Sequence, residues 1–352
     1  MKYFNKIALF TILVSLFSFV SCKKENTFES LETGQEGPIQ LTYYGNTSDR
    51  SSDGNTILVF SDQDVYNSVV EQLQQDVDTW DDAFVAEWGH LDDDALNDKE
   101  EALNFDAEKP LTDFENQYGF NSLRKEYLAA EEAWMNNEEL IDANDPDLDP
   151  RFYFDEADMS LLNTKNEIKI GNEITKYVEG GYIKVLDGDF DKLILINAGD
   201  TEVLNDDNVL VRISDDAAAR GSSDCTWWTR QTDNDYYASN KKMYRILQHH
   251  GYSWKAVTKA KLKSYKRKNG RWKRYRTNLG VGFHAQFYSG GVCPTDGNYD
   301  LDHDTGYREK KRKTLSKRVR FNGNNHYRVE NYWGLRGAYK YGGYNTFKRL
   351  EW

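Results

Sequence analysis

The chain lacks the short patterns that would assign it a reaction. Its 352 residues contain no G-x-S-x-G, no H-E-x-x-H, no glycine-rich phosphate loop and no C-x-x-C. This removes the sequence grounds for a nucleophile elbow, a zinc protease, a nucleotide-binding loop or a thiol redox pair. The six histidines do not help: His249 and His250 are adjacent, and His90, His284, His303 and His326 are scattered without zinc-ligand spacing. Cysteine is scarce, three in all. Cys225 and Cys293 have no His or Asp/Asn pattern suited to a thiol nucleophile. Only one long apolar run occurs, near the N-terminus, and no second one follows. No catalytic residue is assigned.

That one run is the most specific signal present. A short basic start, Met1 to Lys6, precedes the apolar stretch Ile7 to Val20, and Ser21-Cys22 closes it before Lys23-Lys24-Glu25 turns polar. The stretch is shorter than the roughly 20 residues of a membrane span, and a small residue before Cys22 suits signal cleavage there. Phe19-Val20-Ser21-Cys22 resembles the lipobox of bacterial lipoproteins, with Phe where Leu is usual. The resemblance implies a signal peptide over 1–21 and acylation of Cys22 as the mature N-terminus. Each buried methylene contributes ~0.8 kcal/mol, so several acyl chains hold the protein durably to a membrane. The expected location is the outer membrane, with the periplasmic and cell-surface faces both open.

Charge divides the remainder. From Asp224 to Trp352 there are 28 Lys and Arg against 10 Asp and Glu, a balance of +18. The whole-chain totals of 45 and 58 leave 17 against 48 before Asp224, or -31. An oxidising compartment favours a Cys225 to Cys293 disulfide over two free thiols. It would close a loop of 67 intervening residues, which the chain-entropy view credits with roughly 4 kcal/mol.

Residues 22–55 carry hardly any apolar periodicity and read as a lipidated flexible tether. Thr56 to Phe60 reads as a strand. Ser61 and Asp62 then offer an N-cap to an amphipathic helix carrying Val65, Val69, Leu73, Val77, Trp80, Phe84 and Trp88 at spacings of three and four, a core face. The Asp-rich stretch from Asp92 to Pro110 breaks the pattern, and a second helix begins near Ser122-Leu123 and is expected to pack on the first. Asn144 to Pro150 is a loop. Segments Asn166 to Ile170, Glu173 to Val178 and Tyr182 to Leu186, separated by Gly171-Asn172 and Gly180-Gly181, read as a small antiparallel meander. Residues 215–223 read as a linker. Beyond it, Val257 to Tyr265, the turn Lys268-Asn269-Gly270 and Arg271 to Tyr288 form a hairpin. In its second strand Tyr275, Thr277, Leu279, Val281, Phe283, Ala285 and Phe287 face the core, while Arg274, Arg276, Asn278 and His284 face solvent. The expected fold class is α+β: an acidic helical N-terminal domain over 56–214 with a small meander, then a basic antiparallel β-sandwich over 224–352.

Leu58-Val59-Phe60 leading into a helix, Gly119-Phe120-Asn121-Ser122-Leu123-Arg124, Leu161-Leu162-Asn163 followed by Ile168 to Asn172, and the hairpin Lys263 to Lys273 are similar to patterns in uncharacterised lipoproteins of Bacteroidota-type bacteria. The resemblance spans most of the mature chain and implies no reaction.

Two clusters carry potential chemistry. Lys263, Lys266, Arg267, Lys268, Arg271, Lys273, Arg274 and Arg276 crowd the hairpin around Trp272, a composition that suits a polyanion such as an acidic glycan or lipopolysaccharide phosphate. The plain reading is that this basic half complements the acidic one. In the loop from Asp296 to Gly306, Asn298, Asp300, Asp302 and Asp304 alternate, and Glu309 stands at the twelfth place from Asn298. Such spacing allows a structural calcium, although His303 sits where an EF-hand loop needs Gly; otherwise the loop is a solvated acidic turn. No other cofactor and no nucleic acid partner are expected; the membrane is engaged through lipid. A non-catalytic binding or envelope-structural role follows, with an adhesin-like anionic-polymer binder or a carboxylate-dependent glycan hydrolase as alternatives.

Overall fold

The computed structural model describes residues 37–45, 55–137, 155–178, 181–213, 225–226, 228–251, 255–289, 301–322, 327–330, 335–341 and 348–351. The leader 1–21, Cys22, the loop 144–150, the linker 215–223, Cys293, Asn298 and Asp300 lie outside the described residues.

In the first half, strands β1 (Ile39–Tyr43), β2 (Thr56–Phe60), β3 (Glu167–Ile170), β4 (Glu173–Val178), β5 (Gly181–Val185) and β6 (Val209–Ile213) form one sheet in sequence order. Every pairing is antiparallel except the parallel β2–β3 contact. The meander and the first strand therefore stand where the residue pattern placed them. β1 does not: it lies inside the stretch expected as a tether, and Leu41 pairs with Leu58 as a sheet edge. Alternate residues of β2 enter different apolar clusters, as a pleated strand requires. Leu58 and Phe60 pack with the helices, whereas Ile57 packs with Leu193 and Ile196 of a later helix (Phe190–Asn197).

Five helices run in the connection between β2 and β3: α1 (Gln63–Trp88), α2 (Asp93–Ala102), α3 (Lys109–Gln117), α4 (Leu123–Asn136) and α5 (Glu156–Met159). Asp62 caps α1, its carboxylate accepting from the Val65 N–H at 2.9 Å, and Ser122 caps α4. Val69, Leu73, Leu123 and Tyr127 of the two long helices share one core cluster. Trp80 departs from the expected core stripe: it is 40% exposed, stacking on Phe105. The Asp-rich stretch read as a break holds α2 and α3, with Pro110 tolerated in the first turn of α3. The inward residues of α2 are Leu96 and Glu100, so half of its buried stripe is charged and carries no apolar period.

The second half is antiparallel throughout the described residues. One sheet contains β8 (Trp228–Ala238), β9 (Lys241–Gly251), β10 (Lys255–Lys268), β11 (Arg271–Arg274) and β15 (Thr314–Asn322). The other contains β7 (Cys225–Thr226), β12 (Thr277–Ser289), β13 (Leu301–Asp304), β14 (Arg308–Arg312), β16 (Tyr327–Glu330), β17 (Leu335–Tyr341) and β18 (Lys348–Glu351). Met243, Leu247, Ala260 and Leu262 of the first share a core with Leu279, Val281, Phe283, Phe287 and Tyr339 of the second. The hairpin turn is as expected: Lys268 pairs with Arg271, and Asn269 and Gly270 both take positive φ. Its long second strand is not continuous. β11 stays with β10, the chain turns at Tyr275-Arg276, and β12 joins the other sheet. Arg276, expected in solvent, is fully buried. The molecule is thus α+β, and residues Pro38–Trp352 form one unit in which the acidic and basic halves are packed together.

Candidate functional site

The seam between the halves is built from two matched periodicities. Residues four apart on a helix lie about 6 Å apart along its axis, and alternate residues of a strand about 6.6 Å. On α1, Asp78, Asp81 and Asp82 meet Arg308, Lys310 and Arg312 of β14: Arg308 donates to both Asp78 oxygens at 2.8 Å, Lys310 pairs with Asp82, and Arg312 reaches Asp82 at 2.6 Å and also Asp81. On α5 and its cap, Asp155, Glu156 and Asp158 meet Arg318, Lys261 and Arg320.

Two arginines from the end of β11 and the turn after it hold the centre. Arg274 pairs with Glu108 at 2.7 Å and with Glu131 of α4. Arg276 pairs with Asp81 at 2.6 Å and Glu100 at 3.1 Å, with its guanidinium 5.1 Å from the Phe84 ring centre. Its backbone N–H donates to Asn97 Oδ1 and its carbonyl accepts from Asn97 Nδ2, both at 2.8 Å. Lys263 is buried beside Glu131 and bonded to the Tyr127 hydroxyl. Burial, with the Arg274 charge added, pushes the Lys263 ammonium well below its ordinary pKa. Glu156 and Glu108 move the other way from what burial alone would do: Lys261 and Lys259 pull Glu156 down to about 2, and Arg274 and Arg124 hold Glu108 below its usual range.

A cleft of about 810 Å³ opens along this seam. Val77, Leu111, Leu128 and Leu315 give it apolar surface, and Asp78, Asp81, Glu108, Glu131, Asp155 and Glu156 line it together with Arg274, Arg308, Arg312 and Arg318. Each of those six carboxylates is in an ion pair.

The basic hairpin residues separate into three groups. Lys263, Arg274 and Arg276 are drawn into the seam, and Trp272 is buried against Trp134 and Tyr265. Lys266, Lys268 and Lys273 meet the carboxylates of α2, with Lys266 on Asp94, Lys268 on Asp98 and Lys273 on Glu101. Arg267 and Arg271 remain exposed. The acidic loop does not give a helix-flanked calcium site over its described part. Asp302 lies in β13, Asp304 accepts from the Gly306 N–H, and Glu309 in β14 bonds Asn278 and pairs with Lys340. Among the described residues no group of three His, Cys, Asp or Glu side chains is placed to hold a metal. Cys225 lies in β7, paired through Glu330.

Residue types alone did not single out Asp78, Asp81, Glu100, Glu131 or Arg312. The available signal was carboxylates at helical spacing in one half and cations at strand spacing in the other.

No family model and no curated protein matches this chain. Among solved structures, a DUF4848 family protein from Bacteroides thetaiotaomicron VPI-5482 is similar at 14% identity and a TM-score of 0.23, over 86% of this chain and 98% of that one. At that level the likeness carries neither fold nor activity across.

Proposed function

We propose that the chain is a lipid-anchored outer-membrane lipoprotein, acylated at Cys22, whose folded part has a non-catalytic binding or envelope-structural role. A Cys225 to Cys293 disulfide and a sandwich packing of the two C-terminal sheets belong to this reading. The observation that carries the non-catalytic part is the seam cleft. Its volume lies in the range of ligand sites, yet six of the eight carboxylates that line it, all but Asp106 and Glu132, are held by arginine or lysine. Glycoside hydrolysis needs an acid whose pKa is raised, so that it is protonated near neutrality. Glu108 and Glu156 are held low instead, which removes these two as that acid.

The test is radiolabelled palmitate incorporation and membrane fractionation of wild type and Cys22→Ala, with the detergent-solubilised protein screened on chromogenic glycosides and esters. Wild type should carry label and sediment with outer membranes, the variant should do neither, and no turnover should appear. An unlabelled wild type would overturn the anchor, and turnover would overturn the non-catalytic role. Antibody labelling of intact against permeabilised cells then assigns the membrane face.

A further inference from the structure

Three lysines stand directly opposite one another on neighbouring strands. Lys241 of β9 pairs with Lys266 of β10, which pairs with Lys273 of β11, so all three side chains leave the same face of the sheet. Two residues along, Lys268 pairs with Arg271 on that face. Directly opposite side chains of an antiparallel pair have Cβ atoms about 4.5–5.5 Å apart, and like charges so placed are destabilising. Helix α2 answers part of this charge. Its row Asp94, Asp98 and Glu101 takes Lys266 at 2.5 Å, Lys268 at 3.2 Å and Lys273 at 3.2 Å. Lys241 donates to the Tyr275 hydroxyl at 3.2 Å and Arg271 is exposed; among the described residues neither is in an ion pair. Five cations thus face three carboxylates. Between the strands and α2 lies a cavity of about 550 Å³, walled by Lys266, Lys268 and Lys273 on one side and by Asp94, Asp98 and Glu101 on the other. The remaining charged groups of its wall, Glu100, Arg274 and Lys313, are committed to ion pairs of the buried seam. A different row fixes α2 itself, with Asn97 on the Arg276 backbone and Glu100 on its guanidinium. The three outer carboxylates have side chains at least 60% exposed, so they can turn to water without moving the helix. Solvent-exposed pairs of this kind hold weakly and are screened by salt.

We propose that this cavity binds a small phosphate-bearing anion through Lys266, Lys268 and Lys273, with Lys241 and Arg271 adding charge on either flank. Charge density selects the ligand. A carboxylate group carries a single charge and α2 already supplies three, so exchanging one for another gains nothing. A phosphate monoester carries about −1.5 to −2 at pH 7 and three acceptor oxygens, so one group meets two or three ammoniums at once and displaces the carboxylates that hold them. Lysine ammoniums are point charges with rotatable donors and take such a group from several sides, whereas the fixed fork of arginine suits a planar carboxylate equally well. Asp98 and Glu101 are then internal competitors for the site. The proposal deepens the binding role above and does not rest on its lipid anchor.

The experiment is calorimetric titration of the detergent-solubilised full-length chain with pyrophosphate at about 0.15 M salt, with succinate as the dicarboxylate control. Wild type should bind pyrophosphate, and succinate about tenfold more weakly or less. Lys266→Gln and Lys273→Gln should each weaken pyrophosphate about tenfold, as the loss of one hydrogen bond to a charged group does. Lys241→Gln should weaken it severalfold. Lys340→Gln removes the same charge from the other sheet and should leave binding unchanged. Asp98→Asn with Glu101→Gln should strengthen it severalfold by freeing Lys268 and Lys273. No pyrophosphate binding by wild type, or succinate binding as tight as pyrophosphate, overturns the site. An equal loss in Lys340→Gln and Lys266→Gln overturns it in favour of diffuse attraction. Unchanged or weakened binding in the Asp98/Glu101 variant overturns the part given to α2. Binding of dihexanoyl phosphatidic acid but not pyrophosphate would assign a lipid headgroup and overturn the free anion. Palmitate label without pyrophosphate binding would refute this site alone, and pyrophosphate binding without label the anchor alone.

Discussion

The Arg276 guanidinium lies 2.6 Å from the Asp81 carboxylate, and neither side chain has more than a few per cent of its surface in water. One residue between the two sheets is thereby fixed to the C-terminal third of α1. With Glu100 as its second partner, it ties α1 and α2 to the β half. Removing one member of a buried ion group strands the others, which typically costs about 3–5 kcal/mol, whereas replacing the whole group by neutral residues is far milder. Arg276→Met should therefore lower the unfolding free energy by about that amount in urea titration. Asp81 keeps Arg312 when Arg276 is removed, whereas Glu100 is shared with Lys313, so the triple variant Arg276→Met, Glu100→Gln, Lys313→Met should recover part of the loss. A triple variant less stable than the single one would show that packing, not charge, sets the effect.

Ser122 has no exposed surface, and it both accepts the Lys125 N–H as N-cap of α4 and donates to Glu115 at 2.6 Å. Ser122→Ala removes both bonds at once. The expected loss is about 1–3 kcal/mol, measured as a shift of the urea midpoint at unchanged slope.

These positions show what the residue pattern conveys and what it does not. The cap of α1, its apolar stripe except for Trp80, the three meander strands to within a residue and the Asn-Gly turn are local signals that appear where the pattern placed them. The break of the second hairpin strand is not local. Tyr275 to Phe287 alternates without a fault, and Tyr275, Thr277 and Leu279 are all buried as the alternation requires. Between β11 and β12 stands Arg276, buried by carboxylates 176 and 195 positions earlier in the chain. Similarly, α2 escapes a hydrophobic reading because Glu100 is buried by a partner in the other half. The candidate seam was legible only as its ingredients, an acidic half and a basic half.

A glycine in β12 tests the packing of the sheet face. A Cβ at Gly280 would run into the Tyr307 ring and hydroxyl, which lie across the backbone at that point. Gly280→Ala should cost about 1–3 kcal/mol by overpacking. Tyr307→Ala alone should cost less, because its ring is 38% exposed. The double variant should be more stable than the sum of the two predicts, since the second change removes the obstacle to the first; additivity in the double-mutant cycle would refute the clash.

Acid should loosen the seam before the apolar cores. Glu156 titrates at about 2 in the folded chain against an ordinary 4.5, and Glu108 is also held low. A carboxylate with a depressed folded pKa contributes stability that is complete above its unfolded pKa. That contribution is lost as the pH falls toward the folded value. The unfolding midpoint in urea should therefore fall steadily from about pH 5 to pH 2. Lys263 acts in the same direction at higher pH: its folded pKa is lowered, so the unfolded chain binds the extra proton and stability rises with pH across that interval. Glu156→Gln should be less stable than wild type at pH 6 and lose less on acidification, with the two midpoints converging near pH 2. Parallel curves for the two proteins would mean that the Lys261 to Glu156 contact contributes nothing to the acid sensitivity of the fold.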